Sequence, residues 1–182
     1  DHSTTTEEAA SHEGGNSGMG GDFLYRWGGP GNYDTGSTSN NVLDSQHGVN
    51  WIPEGYPGEG NLILFNNYQA NQASSGLEFI TPILEDGTYR LDEGLPYAPE
   101  QEEWLYFPGA GFYTSVQGGA FRLPNGNTLI TEATEAYIFE IDQNGNIVWY
   151  YEYPTNMAMI ARAQKYAYDY FDNLIVYFHH HI

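Results

Sequence analysis

His47 is the side chain of this sequence best suited to chemistry, because a neutral imidazole is a nucleophile near pH 7 and its protonated form is an acid. It lies in a near-repeat: residues 46–64 are echoed by residues 117–130, with a glutamine, a glycine, a proline and a Gly-Asn pair in the same order. In the second copy Gly118 stands where the first has His47. Because a sister unit replaces this histidine by glycine, we predict a functional role for it; the alternative is a histidine hydrogen-bonded within a loop between blades.

The elements that must position His47 are short strands separated by turns. Asn and Gly residues at 124–127 and 142–146 accept a positive φ, as hairpin turns require. Four strands in a unit of roughly 36 residues are typical of a β-propeller blade. The first strand of a blade lines the central channel, so we expect His47 near the channel mouth. The expected strands are 49–52, 61–66, 77–83 and either 88–91 or 103–107 in the first unit, and 120–123, 128–132, 136–141 and 147–153 in the second.

The predicted fold class is all-β, a partial β-propeller of about two to three blades over residues 22–174. A Gly/Ser/Thr-rich loop segment (1–21) precedes it, and the tail (175–182) ends in histidines that we interpret as a purification remnant or frayed end rather than a metal site. A propeller needs about four blades to close, so we expect the missing blades from the same precursor or from another chain. The expected parts are an outer strand at 22–27, a blade at 46–107, a blade at 117–153 and a closing segment at 157–174, extended rather than helical.

Composition excludes several classes of protein. A hydrophobic fraction of 40% indicates a folded chain, whereas 24 acidic residues against 5 Lys and Arg give a net charge of -19 that repels nucleic acid and anionic membrane surfaces. The same charge fits either a secreted protein of a saline or calcium-rich medium or a surface that is merely solubilising. The absence of cysteine rules out disulfides and thiolate chemistry. No apolar run approaches the roughly 20 residues of a membrane helix, so we expect no membrane insertion.

Four segments, in order, resemble the bacterial arylsulfotransferase (aryl-sulfate sulfotransferase) family. They are residues 1–10, 20–28, 46–61 and 122–130, which carry Asp-His-Ser, Asp-Phe-Leu-Tyr-Arg-Trp, Gln-His with Trp-Ile-Pro-Glu-Gly, and Arg-Leu-Pro-Asn-Gly-Asn. The resemblance implies the C-terminal part of a six-bladed propeller in the periplasm or outside the cell. It also implies transfer of a sulfuryl group from a phenolic sulfate to a phenol through a sulfated histidine. The expected partners are therefore small phenolic substrates.

Site residues follow from the matched motifs. Sulfuryl transfer resembles phosphoryl transfer and asks for an in-line nucleophile with cations or hydrogen-bond donors around the equatorial oxygens. The resemblance assigns the nucleophile to His47 and an acid or oxyanion donor to His2, for which an exposed terminal histidine is the alternative. Arg26 and Arg122 are the cations of the matched segments and could hold the sulfate oxygens. The alternative for each arginine is an ion pair on an outer face.

No cofactor is expected, and the one metal considered is a structural calcium ion. Glu7, Glu8 and Glu13 are dense enough to invite a cation that prefers oxygen ligands, although their spacing matches no calcium loop. Residues 142–146 have a calcium-like composition, but a hairpin turn explains them more simply.

Two other functions remain open. The first is a non-catalytic extracellular propeller that binds a ligand or self-assembles into a homo-oligomer or filament through open blade edges. The second is a glycan-binding module that uses exposed aromatic side chains, for which the candidates are Trp27, Trp51, Trp104 and Tyr56. An enzyme predicts that His47 and His2 converge on one cavity with an arginine. A structural protein predicts that they lie apart.

Overall fold

The chain forms an all-β fold with almost no helix. The computed structural model describes residues 1–33, 36–68, 72–154 and 159–170. The α-helical turn α1 (Thr6–Ala9) and the 3-10 turns Pro30–Tyr33, Thr38–Asn40 and Ala133–Glu135 accompany the strands. The strands are β1 (His47–Trp51), β2 (Leu62–Asn66), β3 (Ser75–Phe79), β4 (Trp104–Tyr106), β5 (Gly119–Arg122), β6 (Thr128–Glu132), β7 (Tyr137–Ile141) and β8 (Ile147–Glu152).

The strands make two antiparallel sheets with the same simple order. The first runs β1-β2-β3-β4 and the second β5-β6-β7-β8, each strand pairing with the next along the chain. Turn chemistry fixes this order in the second sheet. The carboxylate of Asp142 accepts hydrogen bonds from the backbone N–H groups of Asn144 and Asn146, and Gly145 adopts φ +80°. These bonds close the β7–β8 hairpin.

The main core lies between the two sheets. It contains Phe65 and Ile63 of β2 and Ile130 and Phe139 of the second sheet, all buried, with Phe112 of the connecting loop wedged between them. The ring of Phe112 makes edge contacts with Phe65 and Phe139 at 5.7 and 5.8 Å between centroids. Apolar side chains at alternate positions of β2 and β7 therefore face the shared core and remove apolar area from water.

A second, smaller core covers the outer face of the first sheet and corrects one prediction. The expected strand at 22–27 does not form, because none of the described residues offers this segment a strand to pair with. Its aromatic side chains pack on the sheet instead. Trp27 stacks on Phe79 at 4.2 Å between ring centroids, and its Nε1 donates to the carbonyl oxygen of Pro99. The aromatic pattern of 22–27 thus reflects burial against a sheet face and not strand formation.

Most of the other strands lie close to the predicted positions. The alternative outer strand at 88–91 is limited to a single bridge between Ile83 and Tyr89, and β4 falls within 103–107. The predicted strand at 77–83 begins two residues earlier and ends at Phe79. Segment 1–21 is not loop throughout, because Thr5 and Glu8 form a capping box that starts α1.

The predicted closing segment has no regular secondary structure over residues 159–167, as expected of an extended segment. It is anchored to the second sheet by backbone bonds from Ile160 N–H to the Ala133 carbonyl and from Gly118 N–H to the Ala161 carbonyl. The N–H of Ala163 adds a bond to Oγ1 of Thr131. The remainder of the predicted segment, 157–158 and 171–174, and the tail 175–182 lie outside the described residues.

Gly118, the counterpart of His47 in the near-repeat, is required at its own position. It adopts φ +105°, and a Cβ atom there would lie 2.6 Å from the Phe65 ring. Only glycine satisfies both conditions without strain. The exchange of histidine for glycine between the two units is therefore fixed by the packing of Phe65, and the case for a functional His47 depends on the surroundings of His47 itself.

Candidate functional site

His47 is the first residue of β1 and is half-buried where the first strands of the two sheets approach each other. Its Nδ1 lies 2.8 Å from Oδ1 of Asn67 and 3.0 Å from the carbonyl oxygen of Ser45. Ser45 adopts φ +57°, which turns its carbonyl toward the ring. Two oxygen acceptors thus converge on one ring nitrogen.

The orientation of the Asn67 amide decides which tautomer His47 adopts. Asn67 is fully buried, and its Nδ2 donates to the carbonyl oxygens of Thr114 and Gln117, each at 2.9 Å. Because carbonyls only accept, the amide must present Oδ1 to His47, and Nδ1 of the ring must carry the proton. The Nε2 atom of the neutral ring then keeps its lone pair, as a nucleophile or a proton acceptor requires.

Arg122 is committed to a buried ion pair. Its side chain is 8% exposed, and its Nη2 contacts Oε2 of Glu78, whose side chain is 5% exposed. Nη1 donates to the carbonyl of Gly126, and the guanidinium lies 4.9 Å from the centroid of the Trp104 ring. Arg122 is the last residue of β5, whereas His47 lies near the first residue of that strand. At about 3.3 Å per residue, the length of the strand separates them by roughly 10 Å.

The other two predicted site residues, His2 and Arg26, make no hydrogen bond or ion pair with His47 among the described residues. His2 is exposed, and it makes no hydrogen bond or ion pair with any described residue. Arg26 is exposed and lies 5.6 Å from the centroid of the Phe23 ring. No hydrogen bond, ion pair or ring contact among the described residues joins His2, Arg26 or Arg122 to His47. Among the described residues, none of the other three predicted site residues is therefore in recorded contact with His47.

Arg162 is a cation near His47 that the motifs did not indicate. The Cβ of Arg162 lies 3.2 Å from the position that a Cβ on Gly119 would occupy, and Gly119 in turn lies against Gly48, the residue after His47. The arginine belongs to the closing segment, far from His47 in the sequence and outside the four matched segments. Its position depends on the path of the chain back across the second sheet, which no local pattern encodes.

A buried carboxyl group lies on the core side of the second sheet. Burial raises the pKa of Glu132 above its ordinary value, while a hydrogen bond from the Tyr113 N–H opposes the rise and the nearby charge of Glu135 adds to it. Glu140 differs. Burial would raise its pKa too, but bonds from the Lys165 ammonium and from two asparagine amides outweigh burial, so the pKa is lowered.

Two of the carboxylates considered for calcium, Glu8 and Asp142, have protein partners. Oε2 of Glu8 accepts from the Thr5 N–H, and Asp142 is occupied by its hairpin. Among the described residues, no group of three or more His, Asp or Glu side chains could hold a metal ion. No helix in the described ranges is long and apolar enough to cross a membrane.

Two of the aromatic residues considered for glycan binding share a cleft. Trp51 is 51% exposed and lines a cleft of about 260 Å³ together with Tyr56, Lys165 and Tyr166. The other two lie elsewhere. Trp27 stacks on Phe79, and Trp104 lies under the guanidinium of Arg122.

No protein-family model, curated protein or solved structure matches this chain. The residues themselves therefore have to indicate the function, above all those that surround His47. The environment of its ring comprises two oxygen acceptors on Nδ1, no hydrogen bond to Nε2 from any described residue, and Arg162 packed against Gly119.

Proposed function

We propose that His47 accepts a sulfuryl group from a phenolic sulfate ester and passes it to a phenolic acceptor. One observation carries the proposal. The two acceptors on Nδ1 hold the proton on that atom, so Nε2 is available as a nucleophile without a separate base. The ordered resemblance of four sequence segments to arylsulfotransferases supplies the chemistry. The proposed setting is extracellular or periplasmic.

The proposed reaction has two displacements at sulfur. In the first, Nε2 of His47 forms the N–S bond while the S–O bond to the phenol breaks, and the departing phenolate takes a proton from water. In the second, the acceptor phenol gives its proton to water and attacks sulfur, the N–S bond breaks, and the imidazole regains the Nε2 lone pair with its proton still on Nδ1. Each step needs donors around the sulfuryl oxygens, since negative charge is spread over them in the transition state.

We further propose that the two sheets are neighbouring blades of a β-propeller. Two four-stranded antiparallel sheets with the same strand order and a shared core support this assignment. A closed propeller needs further blades, and these would complete the cavity around His47. For that reason we expect the 182-residue chain alone to be inactive.

The test is covalent labelling of the protein in its natural form, with whatever blades it carries. The protein is incubated with 4-nitrophenyl sulfate, its intact mass is measured, and any adduct is mapped by digestion at alkaline pH. We expect a gain of one SO₃ on His47, loss of the adduct in His47→Asn, and retention of it in His12→Asn, which changes an exposed histidine paired with Asp22. A protein that gains no SO₃, or gains it equally in His47→Asn, would exclude this function.

Self-assembly is a second candidate, and β8 is the observation that favours it. All six residues of this edge strand are exposed, among them Val148 at 54% and Tyr150 at 63%. An open apolar edge strand pairs readily with another copy, and lysine on the edge prevents it. We expect Val148→Lys with Tyr150→Lys to remain monomeric by light scattering while the parent chain associates. Tyr168→Lys, outside the strands and fully exposed, should associate like the parent.

A further inference from the structure

We propose that Arg162 binds the sulfate group of the substrate beside His47. The proposal rests on the function proposed above and names its anion-binding residue. Four features carry it: a shared loop, close packing at two glycines, a charge that no described residue neutralises and the chemistry of the guanidinium group.

One loop supports both His47 and Arg162. The carbonyl oxygen of Gln117 accepts a hydrogen bond from Nδ2 of Asn67, the residue that orients the His47 ring. The next residue, Gly118, donates its N–H to the carbonyl of Ala161 at 2.9 Å, and Arg162 follows directly. The Gln117–Gly118 peptide therefore holds the backbone at Ala161, next to Arg162, close to the residue that orients the His47 ring.

Close packing at two glycines brings Arg162 near the neighbour of His47. A Cβ on Gly48 would lie 3.4 Å from the Cα of Gly119, and a Cβ on Gly119 would lie 3.2 Å from the Cβ of Arg162. Adding about 1.5 Å for each carbon–carbon bond places Arg162 Cβ within about 10 Å of the Cα of Gly48, the neighbour of His47. An extended arginine and a histidine ring can span such a distance with one sulfate group between them.

Arg162 carries a charge that no described residue neutralises. Three of the five cationic residues of the chain are held in salt bridges: Arg90 with Asp92, Arg122 with Glu78, and Lys165 with Glu140. Arg162 is exposed and has no hydrogen bond or ion pair with any described residue. On a protein of net charge -19, an anionic ester needs a local cation to approach.

The guanidinium group suits a sulfate ester. Its planar N–H donors can bind two oxygens of one tetrahedral anion at once, and it stays protonated throughout the working pH range. Bound to two non-bridging oxygens, it would leave the sulfur atom open to Nε2 of His47. It would also stabilise the charge that those oxygens share during transfer.

The test separates anion binding from chemistry. Inorganic sulfate is titrated into the chain, and the His47 ring resonances are followed by NMR, with His47→Asn used for assignment. We expect saturable shifts in the parent protein and an affinity about tenfold or more weaker in Arg162→Ala. Arg162→Lys should recover part of the loss. Arg90→Ala, which removes an exposed arginine remote from this loop, should bind sulfate as the parent does.

Each result decides the question. Sulfate that shifts His47 equally in the parent and in Arg162→Ala overturns the proposal, and so does a parent whose His47 ring does not respond to sulfate. Circular dichroism and the melting temperature verify that Arg162→Ala remains folded, as its exposure predicts. If sulfate binds through Arg162 but no SO₃ is ever found on His47, the anion site stands and the proposed transferase function fails.

Discussion

Asn67 Oδ1 lies 2.8 Å from His47 Nδ1, and through this contact the second sheet orients a side chain of the first. The Asn67 amide is turned by the carbonyls of Thr114 and Gln117, which belong to the loop that leads into β5. The tautomer of His47 is thus a property of the packed pair of sheets. Neither sheet alone supplies both the ring and the groups that orient it.

Replacing Asn67 by alanine should change the tautomer of His47. The ring would retain only the Ser45 carbonyl on Nδ1, so the population with the proton on Nε2 should increase. The Gln117 carbonyl would also lose its bond from Asn67, and the buried Thr114 carbonyl would keep only Oγ of Ser74 at 3.4 Å. We expect the free energy of unfolding to fall by about 1–3 kcal/mol. Imidazole ¹⁵N shifts measure the tautomer, and urea denaturation measures the stability.

Asn66→Ala is the matched control for this experiment. Asn66 is equally buried and bonds to Val42 and Asp44, but it does not contact His47. We expect a comparable loss of stability with unchanged ¹⁵N shifts of His47. Equal changes of the shifts in both variants would show that Asn67 has no specific effect on the ring.

Breaking the Arg122–Glu78 pair should destabilise the fold strongly. Both side chains are buried, so Arg122→Met would leave a buried carboxylate with only the Asn61 amide as partner. We expect a loss of about 3–5 kcal/mol, most of it recovered when Glu78→Met is added, because a buried ion pair contributes little beyond an apolar pair. Thermal and urea unfolding of both single variants and the double variant give the coupling energy. Persistent labelling of His47 in the double variant would agree with a structural role for Arg122.

Glu132→Gln should make the stability of the protein less dependent on pH. The folded pKa of Glu132 is raised above its ordinary value, so the folded state binds this proton more tightly than the unfolded state. Its contribution is complete below the unfolded pKa and is lost as pH rises through the folded pKa. The glutamine keeps an acceptor for the Tyr113 N–H, and it should unfold like the parent at about pH 4 and be more stable at about pH 7.

Urea denaturation at the two pH values gives the comparison, with Glu135→Gln as control. Glu135 is the exposed neighbour whose charge adds to the raised pKa of Glu132, so its removal should reproduce only a small part of the effect. If the free energies of unfolding of Glu132→Gln and of the parent differ by the same amount at both pH values, the raised pKa of Glu132 is contradicted.

Alanine at position 118 should be more disruptive than alanine at position 55. Both glycines have positive φ, +105° at Gly118 and +81° at Gly55, which cost an alanine about 1–2 kcal/mol. Gly55 has open space around its Cβ position, whereas at Gly118 the Phe65 ring adds an overlap whose relief costs about 1–3 kcal/mol more. Melting temperatures of the two variants measure the difference. Equal losses would mean that Phe65 moves aside freely.

Strand positions were well predicted wherever a local pattern determined them. The strand at Thr128–Glu132 was predicted to the residue, because a Pro-Asn-Gly-Asn turn precedes it. The segment 22–27 was predicted wrongly, since Tyr25 and Trp27 give an alternating aromatic pattern whether they pair as a strand or lie on a sheet face. A hydrogen-bonded neighbour decides between the two, and the sequence of the segment does not contain it.

The candidate site likewise combines features that the sequence determines with features that only the packing of the chain decides. The sequence by itself determined the all-β class, the turns and the choice of His47, because these depend on residue types and short spacings. Only the tertiary structure decided that Asn67 orients His47, that Arg122 is held by Glu78 and that Arg162 returns to the loop beside Gly118. Those relationships join residues 20, 44 and 44 positions apart. Contacts over such separations depend on how the sheets pack and how the chain returns across them, which no local pattern specifies.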